Sequence, residues 1–203
     1  MKDQINLFNK YLTQFINQQD VEITDSDSDF YPTDNWNSLP ENLQELYHHI
    51  TRIKIRWHFK EEGAFGRVEG SVHILECNAV AGSWENIVWF GYPGEDSTLQ
   101  KFRIVDYFSN ENFVGYFEND SGNNELYYCS PGGPFYSLKI GLKGYITLLT
   151  YTMGMLNWQR SLVQLNSGIA FPETEILKQN ISRFPANIAY SDFVQEYNKL
   201  KQF

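Results

Sequence analysis

From Arg52 to Phe59 the chain reads Arg-Ile-Lys-Ile-Arg-Trp-His-Phe. Arg52, Lys54, Arg56 and His58 take every second position, and Ile53, Ile55, Trp57 and Phe59 fill the places between. A period of two suits a strand with one wet face and one buried face. On a helix the same residues would scatter cations around the whole circumference. The segment therefore commits the chain to a sheet with apolar material laid against one side. Lys60 to Gly66 reads as a turn, and Arg67 to Glu76 returns through Val68, Val72 and Ile74. The pair is predicted to form a β-hairpin with a longer loop.

Other segments carry a helical period. Ile5, Phe8, Leu12, Phe15 and Ile16 share one face of a helix predicted over Asp3 to Gln19. Asp20 to Asn37 is polar and acidic, contains Pro32, and reads as a loop. Ser38-Leu39-Pro40-Glu41 signals a helix start, with Leu39, Leu43, Leu46, Tyr47 and Ile50 as its buried side. Short strands follow at Phe102 to Tyr107, Asn112 to Phe117 and Leu126 to Cys129, separated by turn clusters. Leu142, Ile146, Leu149, Met153 and Leu156 mark the longest buried helix. Pro172 to Ser182 and Ser191 to Lys201 read as two more helices. Segregated strands and helices predict an α+β fold. The expected form is a single domain, with an antiparallel, or mixed, sheet of about five or six strands packed against flanking helices.

Charge limits the partners. The formal net charge is -9. Residues 1–138 carry 9 Lys/Arg against 21 Asp/Glu, a net of -12, and residues 139–203 carry 7 against 4, a net of +3. No Lys or Arg occurs from Tyr11 to Thr51, nor from Ile104 to Pro134. Such stretches repel nucleic-acid backbones and anionic lipid, and attract a basic partner. Solubility explains the same excess. The acids singled out as candidate partner contacts are Asp25, Asp27, Asp29 and Asp34 in the acidic loop, with Glu118 and Asp120 at a strand turn. The N-terminus lacks the apolar core of a signal peptide, and no apolar run approaches the ~20 residues of a membrane span. The expectation is a cytoplasmic protein.

A search for chemistry yields no catalytic residue, cofactor motif or metal site. His48, His49, His58 and His73 show no metal-binding spacing. His58 and His73 lie on opposite arms of the hairpin, where they could be cross-strand neighbours. Cys77 and Cys129 sit in apolar stretches and read as buried free thiols. Asp25-Ser26-Asp27-Ser28-Asp29 resembles the start of a calcium loop. Phe30 stands where that loop needs glycine, and Trp36 where it needs glutamate.

Four motifs occur in order: Leu39-Pro40-Glu41-Asn42-Leu43; Ile55-Arg56-Trp57 followed by Gly70-Ser71-Val72-His73-Ile74-Leu75; Phe102 to Phe108; and Leu142 to Trp158-Gln159. Together they resemble the SUKH superfamily, the group of Smi/Knr cell-wall-assembly regulators and many bacterial immunity proteins. The resemblance spans about residues 38–160. It leaves an N-terminal helix and acidic loop over 1–37, and a C-terminal helical extension packed on the core over 161–203. It implies a non-enzymatic binding protein. The reading it favours is an immunity protein that neutralises a basic, nuclease-type toxin through an acidic surface. A regulatory scaffold binding a host protein is the alternative. A hydrolase with a carboxylate-only site is a third.

Overall fold

The computed structural model describes residues 1–29, 39, 41–63, 66–118, 125–130 and 132–202. Among these residues, seven strands form one sheet in sequence order: β1 (Val21–Asp29), β2 (Arg52–Phe59), β3 (Glu69–Ile74), β4 (Phe102–Asp106), β5 (Phe113–Phe117), β6 (Tyr127–Cys129) and β7 (Tyr136–Ser137). Every pairing is antiparallel, so the sheet is not mixed. The count exceeds the expected five or six. One reason is that Val21–Asp29, read as part of an acidic loop, is a strand paired along its length with β2.

The helices are α1 (Lys2–Ile16), α2 (Glu41–Tyr47), α3 (Cys77–Val80), α4 (Leu142–Thr152), α5 (Gln159–Ser167), α6 (Pro172–Asn180) and α7 (Tyr190–Leu200). The first obeys its period: Ile5, Phe8, Leu12 and Phe15 are buried. Phe15 meets Trp57 edge-on at 4.8 Å, which fixes α1 on the face of the sheet carrying Ile53, Ile55, Trp57 and Phe59. Pro172 opens α6, with Glu173 and Glu175 complementing the positive end of the helix dipole. Among the described residues no helix is long and apolar enough to cross a membrane.

The helix expected to run through Leu156 stops at Thr152. Met153 takes a left-handed conformation at φ 46°, and Gly154 follows at φ 68°. A Cβ on Gly154 would lie 2.4 Å from a Val72 methyl and 2.8 Å from the Ser71 carbonyl oxygen. Only glycine lets the chain pass this close, and the passage has a purpose. The Ser71 N–H donates to the Gly154 carbonyl at 2.8 Å, and the Leu156 N–H donates to Glu69 at 2.9 Å. Residues 154–156 thus occupy the edge of β3 where it splays from β4. The chain then begins a new helix at Gln159.

The inner face of the sheet packs on α1, α2 and α4. The outer face is divided. Over β4–β6 it is covered by residues 84–101 and by Phe135. Phe102 contacts Phe113, Phe117 and Phe135, and Trp84 lies against Tyr107. Over β1–β3 the outer face is polar, with Arg56, Asp27 and Glu69 exposed and Ser71 buried. The aromatic content of the sequence is largely consumed by these two cores.

Candidate partner-binding face

β1 has two phases. Val21 and Ile23 stand opposite Phe59 and Trp57 and face inward, while Glu22 stands opposite His58. Thr24 is then unpaired in a β-bulge. Beyond it, Ser26 and Ser28 stand opposite Ile55 and Ile53, and Asp25, Asp27 and Asp29 stand opposite Arg56, Lys54 and Arg52. One extra residue moves the side chains that follow to the other face. The three aspartates therefore line up on the outer face beside the cations of β2.

The contacts run diagonally. Lys54 reaches Asp25 at 2.7 Å, and Arg52 reaches Asp27 at 3.0 Å and Glu76 at 2.8 Å. His58 lies 3.5 Å from Glu22. The bond from Lys54 holds the Asp25 carboxyl below its ordinary range. Glu76 and Asp27 raise the Arg52 guanidinium above its own. These groups stay wet: the side chains of Asp25 and Asp27 are 37% and 52% exposed.

The predicted acids do not form one cluster. Asp25, Asp27 and Asp29 come together on β1. Glu118 lies past the end of β5, four strands away, and pairs with Arg103 at 2.8 Å. Asp34 and Asp120 lie outside the described residues. Nor are His58 and His73 direct cross-strand neighbours: His58 opposes Glu69, and His73 opposes Lys54.

On the inner side, β1 and α1 enclose a groove of 650 Å³, lined by Leu12, Thr13, Ile16, Ile23, Ser28 and Ile55 among others. Ile16 is 44% exposed there. Among the described residues β1 has β2 as its only strand partner. No described strand pairs with its other edge, which has acids above and an apolar groove below. The sequence held a signal for this arrangement. Asp-Ser-Asp-Ser-Asp has the same period of two as Arg-Ile-Lys-Ile-Arg, with opposite sign.

A second polar cluster is sealed. Asp106 is fully buried. Its Oδ1 accepts the His73 backbone N–H at 2.8 Å, and its Oδ2 accepts the Tyr145 hydroxyl at 2.7 Å. Tyr145 in turn accepts from Gln159 Nε2 at 2.8 Å. Burial pushes the Asp106 carboxyl up to about 6, against the opposing pull of these bonds. The bulge at Val105 turns Asp106 inward, opposite Val114. The cluster ties β3, β4, α4 and α5 together. Cys77 and Cys129 are buried and free, and burial pushes the Cys129 thiol up to about 12.

The residues of the four motifs mostly serve the core. Leu39, Leu43, Trp57, Val72, Ile74, Asp106, Trp158 and Gln159 are all buried. Trp57 donates its Nε1–H to the Met153 carbonyl at 2.7 Å, beside Gly70, whose missing side chain makes room for the indole. Fold and site together define an α+β protein with an ion-paired sheet face and, among the described residues, one strand edge of β1 that no strand pairs. No family model matches the chain, and neither the curated proteins nor the solved structures gave a match.

Proposed function

We propose that this chain is a SUKH-like binding protein of the immunity type, which acts by docking a basic toxin domain along β1. The observation that supports the reading is the edge of β1 that no strand among the described residues pairs. A strand added there would meet Asp25, Asp27 and Asp29 on one face and the α1–β1 groove on the other. The matching partner segment alternates Lys or Arg with apolar residues. Backbone pairing would supply affinity and the alternation specificity. A second copy of this chain fits poorly, because antiparallel β1 pairing would set aspartates against aspartates.

The experiment uses an extended peptide of alternating Lys and Val, with hydrogen exchange at the amides of Val21–Asp29. Expected are protection of those amides and slower, weaker binding when the ion pair is inverted by Asp25→Lys with Lys54→Glu. The inversion keeps a pair holding β1 in place, so the weakening reports the edge charge. No protection, or equal binding by the inverted variant, refutes the reading. Capture from the source cell, followed by the same inversion, separates a basic toxin domain from a host scaffold partner.

A further inference from the structure

The six arginines fall into two groups. Arg52 holds Asp27 and Glu76, Arg103 holds Glu118, Arg160 holds Glu173 and Arg183 holds Asp20, each at 3.0 Å or less. Arg56 and Arg67 have no ion-pair partner among the described residues. Both line the same cleft, a space of 460 Å³ on the outer face.

The β1 bulge explains why Arg56 is left over. Asp25 stands opposite Arg56 but gives its carboxylate to Lys54, and Glu22, before the bulge, serves His58. Thr24, the unpaired residue, lines the cleft in the gap between those two acids. Ser71 stands opposite Arg56 on β3, and Ser109 and Asn110 form part of the wall from the β4–β5 connection. Among the described lining residues Glu69 is the one carboxylate, and His58, which Glu22 serves, also lines the space. The fixed charges facing the space are two guanidiniums against one acid, in a protein that is otherwise strongly anionic. Bulges recur where a site needs a side chain re-aimed.

We propose that this cleft is a binding site for a phosphate monoester of a small molecule. Two guanidinium forks suit an oxyanion. With the Ser71, Ser109, Thr24 and Asn110 donors they exceed what the two oxygens of a carboxylate can use, and they match the three outer oxygens of a phosphoryl group. The volume exceeds that of a bare phosphate and falls in the range of small-ligand pockets. The acids of β1 border the cleft and oppose a long polyanion, which selects a compact ligand over nucleic acid. This site goes beyond the proposed partner edge and is tested without any partner.

The full chain, labelled with nitrogen-15, is titrated with inorganic phosphate, ribose 5-phosphate and ribose. The readout is the amide shifts of Gly70, Ser71 and Asn110 and the Nε–H signals of the arginines. Expected are saturable shifts confined to the cleft, strongest for the ester and absent for ribose. Arg56→Gln combined with Arg67→Gln weakens binding by about ten-fold or more, the scale of losing charge-assisted hydrogen bonds. Lys143→Gln, an exposed cation elsewhere, leaves it unchanged. Both arginines are exposed, and an unaltered spectrum away from the cleft verifies the fold. Shifts that fail to saturate, or that survive the double substitution, overturn the site. Equal affinity for phosphate and its ester overturns the ester assignment.

Discussion

Replacing Asp106 by Asn tests the buried cluster in a way that separates charge from packing. In the folded chain the Asp106 carboxyl rises from 3.8 to about 6, chiefly through burial. The folded state therefore binds this proton more tightly than the unfolded state. Stability falls as pH rises through the window from about 4 to about 6, and the loss is complete above it. At about 1.36 kcal/mol per pH unit, that rise corresponds to about 3 kcal/mol. Asn keeps an acceptor for the His73 N–H but carries no charge. It also removes the acceptor of the Tyr145 hydroxyl, at a cost of about 1–3 kcal/mol independent of pH. The variant should thus be clearly less stable than the parent near about pH 4 and should recover about 3 kcal/mol relative to it by about pH 7. Urea unfolding of both proteins across that range gives the difference directly. The paired surface carboxylates, such as Asp25, titrate in both proteins and cancel. A stability difference that does not change with pH would refute the argument that burial controls this carboxyl.

Two further outcomes follow from the packing. Gly154→Ala should destabilise the fold by about 2–3 kcal/mol, because the residue has a positive φ and its new methyl would overlap Val72 and the Ser71 carbonyl; thermal unfolding measures it, and an unchanged midpoint would mean that residues 154–156 do not lie on β3. Cys129, with its thiol pushed up to about 12, should resist iodoacetamide at mildly alkaline pH while the protein is folded and react once it is unfolded; mass spectrometry reads the label, and rapid modification of the native chain would contradict its burial.

The sheet and helices were legible where a single period runs unbroken. The alternation of Arg52–Phe59 appears in the structure as read, and so does the helix face of Ile5, Phe8, Leu12 and Phe15, except that Ile16, placed on the same face, is exposed at the groove. β1 was hidden for two reasons. Its bulge at Thr24 breaks the alternation in the middle, so neither half is long enough to declare itself. Its second half also faces serines inward, toward the groove, where they stay exposed, so no apolar pattern marks that side. What holds that half lies in another strand, and only a comparison of two distant charge patterns would reveal it. The end of α4 was missed because Met153 looks like a continuing helix face. Gly154 was the visible warning, and its role depends on β3 passing close by. The four family-like motifs read well as core and are silent about the site, which lies on residues outside them or facing away from the core.

The ion pairs of β1 bear on how a partner could use this edge. Exposed pairs of this kind contribute little to stability, so their value lies elsewhere. Ser26 and Ser28 cannot fix the strand by burial, and a slip of one residue would cost few apolar contacts. The alternating aspartates set against Arg52, Lys54 and Arg56 supply the missing register, since a slip would place serines beside the cations. The same carboxylates are then partly committed before any partner arrives. A basic segment must share Asp25 with Lys54 and Asp27 with Arg52, so each new ion pair replaces part of an old one. Net gain per pair is small, while the long-range attraction of the acidic front of the chain is undiminished. Neutralising these aspartates should therefore slow association at low salt more than it shortens the life of the complex. Residence would depend on backbone pairing and on side chains entering the groove beside α1.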